Sequence, residues 1–206
     1  MIGVPSITRL WRNQSGASAA EFAMLLPVAL LFLIGLLDAG RFFYTINQGE
    51  KATQIGARWA VVTDPVAPAL ATTSYVGATV GGVTLTQGDR IPAEALGRLT
   101  CTQTICECNP GPCPTTGTPP GPSFATVVAR MQDIMPQIGA DNVVVEYRGS
   151  GLGYAGDPDN MDIAPLVTVR AAELTFSPYI LLGFTMNLPD FSYTLTMEDG
   201  KGQEAF

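Results

Sequence analysis

The sequence predicts an α+β protein in which a long N-terminal transmembrane-and-stalk helix leads into a small antiparallel sheet with one helix packed on it. Three observations carry this reading. Residues 22–37 form an uncharged apolar run, residues 123–138 place apolar side chains at helical spacing, and residues 142–148, 166–176 and 190–198 read as strands.

The apolar run, FAMLLPVALLFLIGLL, has 16 residues. At 1.5 Å per residue it covers about 24 Å, short of a hydrocarbon core of about 30 Å. Extending it back through Ala17, Ser18, Ala19 and Ala20 gives 21 residues, with Glu21 included. Arg9 and Arg12 precede it without an acidic neighbour, which predicts one span with the N-terminus cytoplasmic and everything after Leu37 exported. A cleaved secretory signal is the alternative. Against it, the run is longer than an h-region of about 7–15 residues and no A-x-A closes it. Pro27 removes one helical hydrogen bond and is expected to kink or loosen the span. Asp38 and Arg41, three residues apart, share a helical face near the exterior interface.

The helix is expected to continue as a stalk, because no proline occurs from Phe42 to Val62. Ala52, Gly56 and Ala60 recur every four residues beside Ile55 and Trp59. Such a small face serves either close approach to other helices or packing on the chain's own domain. Thr63-Asp64-Pro65 stops the helix.

Composition narrows the function. Charged residues are 14% of the 206, against about 25% in an average soluble protein. Lys and Arg number 11 against 18 Asp and Glu, so no overall positive field exists to bind nucleic acid. The chain has no His, which excludes Ser-His-Asp and Cys-His catalysis and imidazole-bound metals. No convergent carboxylate pair replaces them, and no catalytic residue is assigned. Residues 1–63 carry net +2 and residues 64–206 net −9, a basic stalk bearing an acidic exported domain.

In that domain, a Thr/Gly/Pro-rich loop reaches Gly82, with one short strand at Val83 to Thr86. Cys101, Cys106, Cys108 and Cys113 lie within 13 residues. On the exported, oxidising side they point to two disulfides, 101–106 with 108–113 or 101–108 with 106–113. A four-cysteine zinc or redox site is the rival, but C-x4-C-x-C-x4-C lacks the usual C-x2-C pairs. Phe124, Val127, Val128, Met131, Ile134, Met135 and Ile138 define an amphipathic helix, with Ser123 as its cap and Gly139 at its end. The strand at 166–176 changes phase at Ala171-Ala172, where a bulge is expected. In the strand at 190–198, Phe191, Tyr193, Leu195 and Met197 share one face. Gly151-Leu-Gly153-Tyr-Ala-Gly156 fits G-x-G-x-x-G, yet Asp157-Pro158-Asp159 stands where a phosphate-binding helix would start. Asp157, Asp159 and Asp162 make either a Ca²⁺-type oxygen cluster or a solvated turn, and the turn is favoured.

Around the odd carboxylate the chain reads Gly16-Ala17-Ser18-Ala19-Ala20-Glu21-Phe22, after a basic leader and before the apolar run. This resembles the class III signal of type IV prepilins and pseudopilins, which a membrane prepilin peptidase cuts after the Gly. Residues 21–27 (EFAMLLP), 36–41 (LLDAGR) and 52–58 (ATQIGAR) resemble the successive blocks of TadE-like proteins, pseudopilins of the tight-adherence system. Gln54-Ile55 departs from the usual charged pair, and the Cys-rich loop has no assigned counterpart.

The resemblance implies a cleaved leader over residues 1–16, a transmembrane helix and stalk over 17–63, and an exported domain over 64–206 with its Cys-rich loop at 101–113. It implies that Glu21, beside Phe22, registers an incoming subunit by neutralising the new amine of Ala17, and that Pro27 loosens the helix as it leaves the bilayer. The expected function is that of a non-catalytic pseudopilin or minor pilin assembling tight-adherence pili. Its expected partners are the membrane, the prepilin peptidase, other pilins and the assembly platform, with no cofactor. The expected location is the inner membrane with a periplasmic domain. The alternative is a single-span membrane-tethered periplasmic binding module unrelated to pili.

Overall fold

Alanine, leucine and other good helix formers dominate residues 17–62, and they form one helix, α1 (Ala17–Val62), assigned without a break through Pro27. It ends where expected: the Thr63 N–H and hydroxyl both donate to the Trp59 carbonyl, at 3.2 and 2.9 Å, and Pro65 prevents continuation. The structure, a computed structural model, describes residues 16–157, 161–180 and 183–197. The leader over residues 1–15, Asp159 and Glu198 lie outside the described residues. The chain divides into two compact units, Met1–Phe43 with Ser177–Thr185 and Tyr44–Phe176 with Met186–Phe206.

The second unit is built on the expected antiparallel sheet. β3 (Leu99–Cys101), β4 (Cys106–Cys108), β5 (Val143–Arg148), β6 (Leu166–Ala171) and β9 (Phe191–Thr196) lie in the order β4-β3-β5-β6-β9, every pair antiparallel. Alternation assigns the faces. Val143, Val145, Tyr147, Val167, Val169 and Phe191 are buried on one of them. The opposite face is open and polar, with Glu146 paired to Arg148 and to Arg98, and the Thr168 and Thr194 hydroxyls 2.7 Å apart across the strands.

A one-turn helix, α2 (Ala69–Thr72), follows the stalk. On the buried face lie α3 (Ser123–Gln132) and the stalk end of α1. Ala52, Gly56 and Ala60 are buried, and a Cβ placed on Gly56 would come 2.8 Å from Met131 of α3 and 3.3 Å from Val169 of β6. The small face of the stalk therefore packs on its own domain. Arg130 of α3 stacks on the Trp59 ring with its guanidinium 4.3 Å from the centroid.

Five local expectations are corrected. The Cys-rich segment is not wholly loop, since β3 and β4 form the edge hairpin of the sheet. The 166–176 strand is not one bulged strand. It stops at Ala171, Glu173 turns through a positive φ of 59°, and β7 (Thr175–Phe176) then pairs with β8 (Met186–Asn187). Helix α3 ends at Gln132, not at Gly139, because Pro136 cannot donate to the Gln132 carbonyl. Pro122 holds its N-cap position, so Ser123 is the first helical residue and its hydroxyl is buried without a hydrogen bond. Finally, the short strand near residue 83 is half of a hairpin, β1 (Thr79–Val80) with β2 (Val83–Thr84). Gly81 and Gly82, both at positive φ, make its two-residue turn.

One tyrosine ties the sheet to the chain leaving the stalk. The fully buried Tyr147 hydroxyl accepts the Val66 N–H at 2.8 Å. Tyr147→Phe is expected to leave that donor unpaired and to cost about 1–3 kcal/mol. Burial also raises the Tyr147 phenol above its ordinary value, and burial together with the nearby Asp162 charge raises Tyr75 to about 12. These raised values stabilise the fold fully below pH about 10, and the stabilisation is lost as pH rises through the folded values, because the unfolded phenols ionise first. Thermal melts should fall above that pH, and less steeply in Tyr147→Phe. A flat profile from neutral to strongly alkaline pH would contradict the assignment.

Candidate functional site

The N-terminal half of α1 presents the first group of candidate residues. The helix starts at Ala17, and Gly16, Ala17, Glu21 and Phe22 are all exposed. Ala17 and Glu21 lie one turn apart on the same helical face. The most apolar window of α1 has mean hydropathy 2.4 and none of it is buried by the protein itself. A core helix would be covered by its own fold. This helix is long and apolar enough to cross a membrane, and its bare surface is compatible with a single-pass anchor.

At the end of the apolar run, Asp38 forms a second site inside the same unit. The residue is only 5% exposed. It accepts Arg41 at 3.0 Å, as the spacing predicted, and also the backbone N–H groups of Tyr179 at 2.9 Å and Ile180 at 2.7 Å. The Arg41 guanidinium covers the Tyr179 ring at 3.8 Å from its centroid. The pair is thus a clamp on a segment about 140 residues away. No local signal in the sequence marks Tyr179 and Ile180 as its partners. A carboxylate engaged in three charge-assisted hydrogen bonds is suited to holding backbone, not to attacking a substrate.

Three of the four cysteines lie in the edge hairpin, and Cys113 in the loop that follows it. Cys101 bonds Cys106 and Cys108 bonds Cys113, which selects the first of the two pairings read from the sequence. Cys101 and Cys106 are directly opposed in the ladder, so the first disulfide closes β3 on β4. The second ties the end of β4 to the loop whose Pro110 and Pro112 carbonyls accept the Arg98 and Gly97 N–H groups.

The acidic turn is put to structural use. The Asp162 carboxylate accepts the Tyr75 N–H at 2.6 Å, the Ser74 hydroxyl at 3.2 Å and the Asp157 N–H at 3.1 Å. Its oxygens are therefore spent on fastening two loops together. Gly151 to Gly156 forms bridges and turns, through Tyr154 with Arg90 and Gly153 with Ile163. Among the described residues from 151 to 165 no helix follows the glycines.

Residues 16–58 match the family model described as TadE-like protein. No curated protein and no solved structure matches the chain. The family resemblance read from the three sequence blocks is borne out over these residues, which run from the Gly16 site through the apolar helix to Arg58 of the stalk.

Proposed function

We propose that this chain is a non-catalytic pseudopilin or minor pilin that acts in assembly of tight-adherence pili at the inner membrane, with its sheet domain in the periplasm. The observation that carries the reading is coincidence. The TadE-like match begins at Gly16, where the exposed helix begins, and it contains a carboxylate one turn inside an otherwise uncharged apolar stretch. A charge near the middle of a lone membrane helix costs about 2.5–3.5 kcal/mol, less toward the interface, so its retention calls for a partner.

The partner is supplied by processing. A prepilin peptidase cutting after Gly16 on the cytoplasmic side would leave Ala17 as a free amine at the helix terminus. Glu21 of a neighbouring subunit, or of the same chain, neutralises it and sets the register of the incoming helix. Phe22 opens the apolar face beside it, and Pro27, which lacks the N–H for the Ala23 carbonyl, eases extraction of the helix from the bilayer.

Two measurements test the proposal. N-terminal sequencing of membrane-extracted protein should give Ala17, whereas an intact Met1 would favour the membrane-tethered binding module. Glu21→Ala should be processed and inserted as before but should abolish or strongly reduce piliation. Normal pili in that variant would sink the assembly role of Glu21.

A further inference from the structure

We propose that Tyr179, Ile180 and Phe184 form a second membrane contact, a loop that enters the outer leaflet beside the spanning helix. The proposal rests on residues 17–37 crossing the bilayer, as in the function proposed above.

The argument is one of depth. Asp38 is the first charged residue after the apolar run and so marks the level of the headgroups. Gly35 lies three residues earlier in α1, about 4–5 Å deeper along a helix rising 1.5 Å per residue. The Ile180 Cδ1 lies 3.7 Å from the position a Gly35 Cβ would take. Whatever depth Gly35 has in the bilayer, Ile180 shares it.

The loop is equipped for that environment. Segment Ser177–Thr185 contains no charged residue. Tyr179 is 63% exposed, Ile180 40% and Phe184 67%, although all three are apolar or aromatic. In a soluble setting that exposure is unfavourable, whereas at a bilayer interface it is the matching surface. Backbone N–H groups entering a low-dielectric region need acceptors, and those of Tyr179 and Ile180 have the Asp38 carboxylate. Arg41 balances its charge and covers the Tyr179 ring, the combination of cation and aromatic found at headgroup level. Lipid is the occupant chosen over a second copy of the chain, because lipid surrounds Gly35 before any subunit arrives.

The test uses the full chain in phosphatidylcholine vesicles. An environment-sensitive NBD label is placed at Phe184→Cys, an exposed site, with the four native cysteines kept as disulfides. Leu26→Cys serves as the span control and Thr72→Cys, exposed and away from the disulfides, as the domain control. The expected result is blue-shifted emission at position 184, loss of that emission with lipids bearing a doxyl group near the headgroup, and protection from aqueous iodide. The Thr72 label should show the reverse. Iodide quenching at 184 while the Leu26 label is quenched by deep doxyl groups would overturn the loop contact and leave the span intact. A Leu26 label quenched by iodide would overturn both. Shielding at 184 that needs a high protein-to-lipid ratio and is insensitive to doxyl lipids would overturn the lipid contact in favour of a contact between chains.

Discussion

Gly49→Ala should destabilise the stalk-bearing domain, even though alanine is the better helix former by about 1 kcal/mol. Gly49 is buried in α1, and a Cβ there would run into the Phe191 ring of β9. That ring is 4% exposed and fixed by a strand paired along its length to β6, so it has little room to yield. Overpacking of this kind costs about 1–3 kcal/mol, which outweighs the propensity gain, and Gly49→Leu should cost more still. Gly40 is the control: it lies in the same helix with nothing within 4 Å of its Cβ position, and Gly40→Ala should not weaken the domain. Urea unfolding of the detergent-solubilised chain in a Trp11→Phe background, followed by Trp59 fluorescence, measures both. Adding Phe191→Ala to Gly49→Leu should recover part of the loss, because the two residues share one space. Strictly additive losses would refute the clash.

Loss of both disulfides should be the largest single perturbation of the sheet. Each bond closes a short loop of sequence separation 5, for which chain entropy gives about 2 kcal/mol, or about 4 kcal/mol for the two together. The effect should be local as well as global. β3 is an interior strand, paired to β5 through Leu99 with Tyr147 and Cys101 with Val145. β4 is the edge, and its strand partner is β3. Replacing Cys101 and Cys106 by serine should therefore raise amide exchange first in β4, then in β3, before β5 and β6 respond. Replacing Cys108 and Cys113 should expose chiefly the proline-rich loop at Gly97 and Arg98. Equal urea midpoints with and without reductant would show that the bonds contribute nothing to folding.

Several elements were legible because their information is local. The length and polarity of the apolar run, the helix stop at Thr63-Asp64-Pro65 and the alternation of β5 and β9 each depend on a repeat of 2.0 or 3.6 residues within one short window. The TadE-like blocks are local in the same sense, three short runs inside the 16–58 match. Helix α3 shows the limit of that reading. Apolar spacing carried it to Ile138, and Met135 and Ile138 are indeed buried, yet Pro136 ends the hydrogen-bonded helix at Gln132. Burial pattern and helix length separated there because turns beyond a helix end, here closed by Met135 N–H to the Met131 carbonyl at 3.0 Å, can also point side chains into a core. β3 and β4, three residues each, are too short for alternation to register.

The sequence by itself determined a long apolar helix, a glycine and a carboxylate at its start, four closely spaced cysteines and an α+β domain behind the helix. Tertiary structure decided how those parts are used. It turned the Ala52, Gly56 and Ala60 face toward the chain's own sheet, chose Cys101 with Cys106, ended the 166–176 strand at Ala171, and brought Tyr179 and Ile180 to Asp38. Each of these is a choice among partners far apart along the chain. Hydrophobic burial is non-directional, so such choices are settled by strand register, by the space available at glycines such as Gly49 and Gly56, and by the need of buried backbone donors for an acceptor.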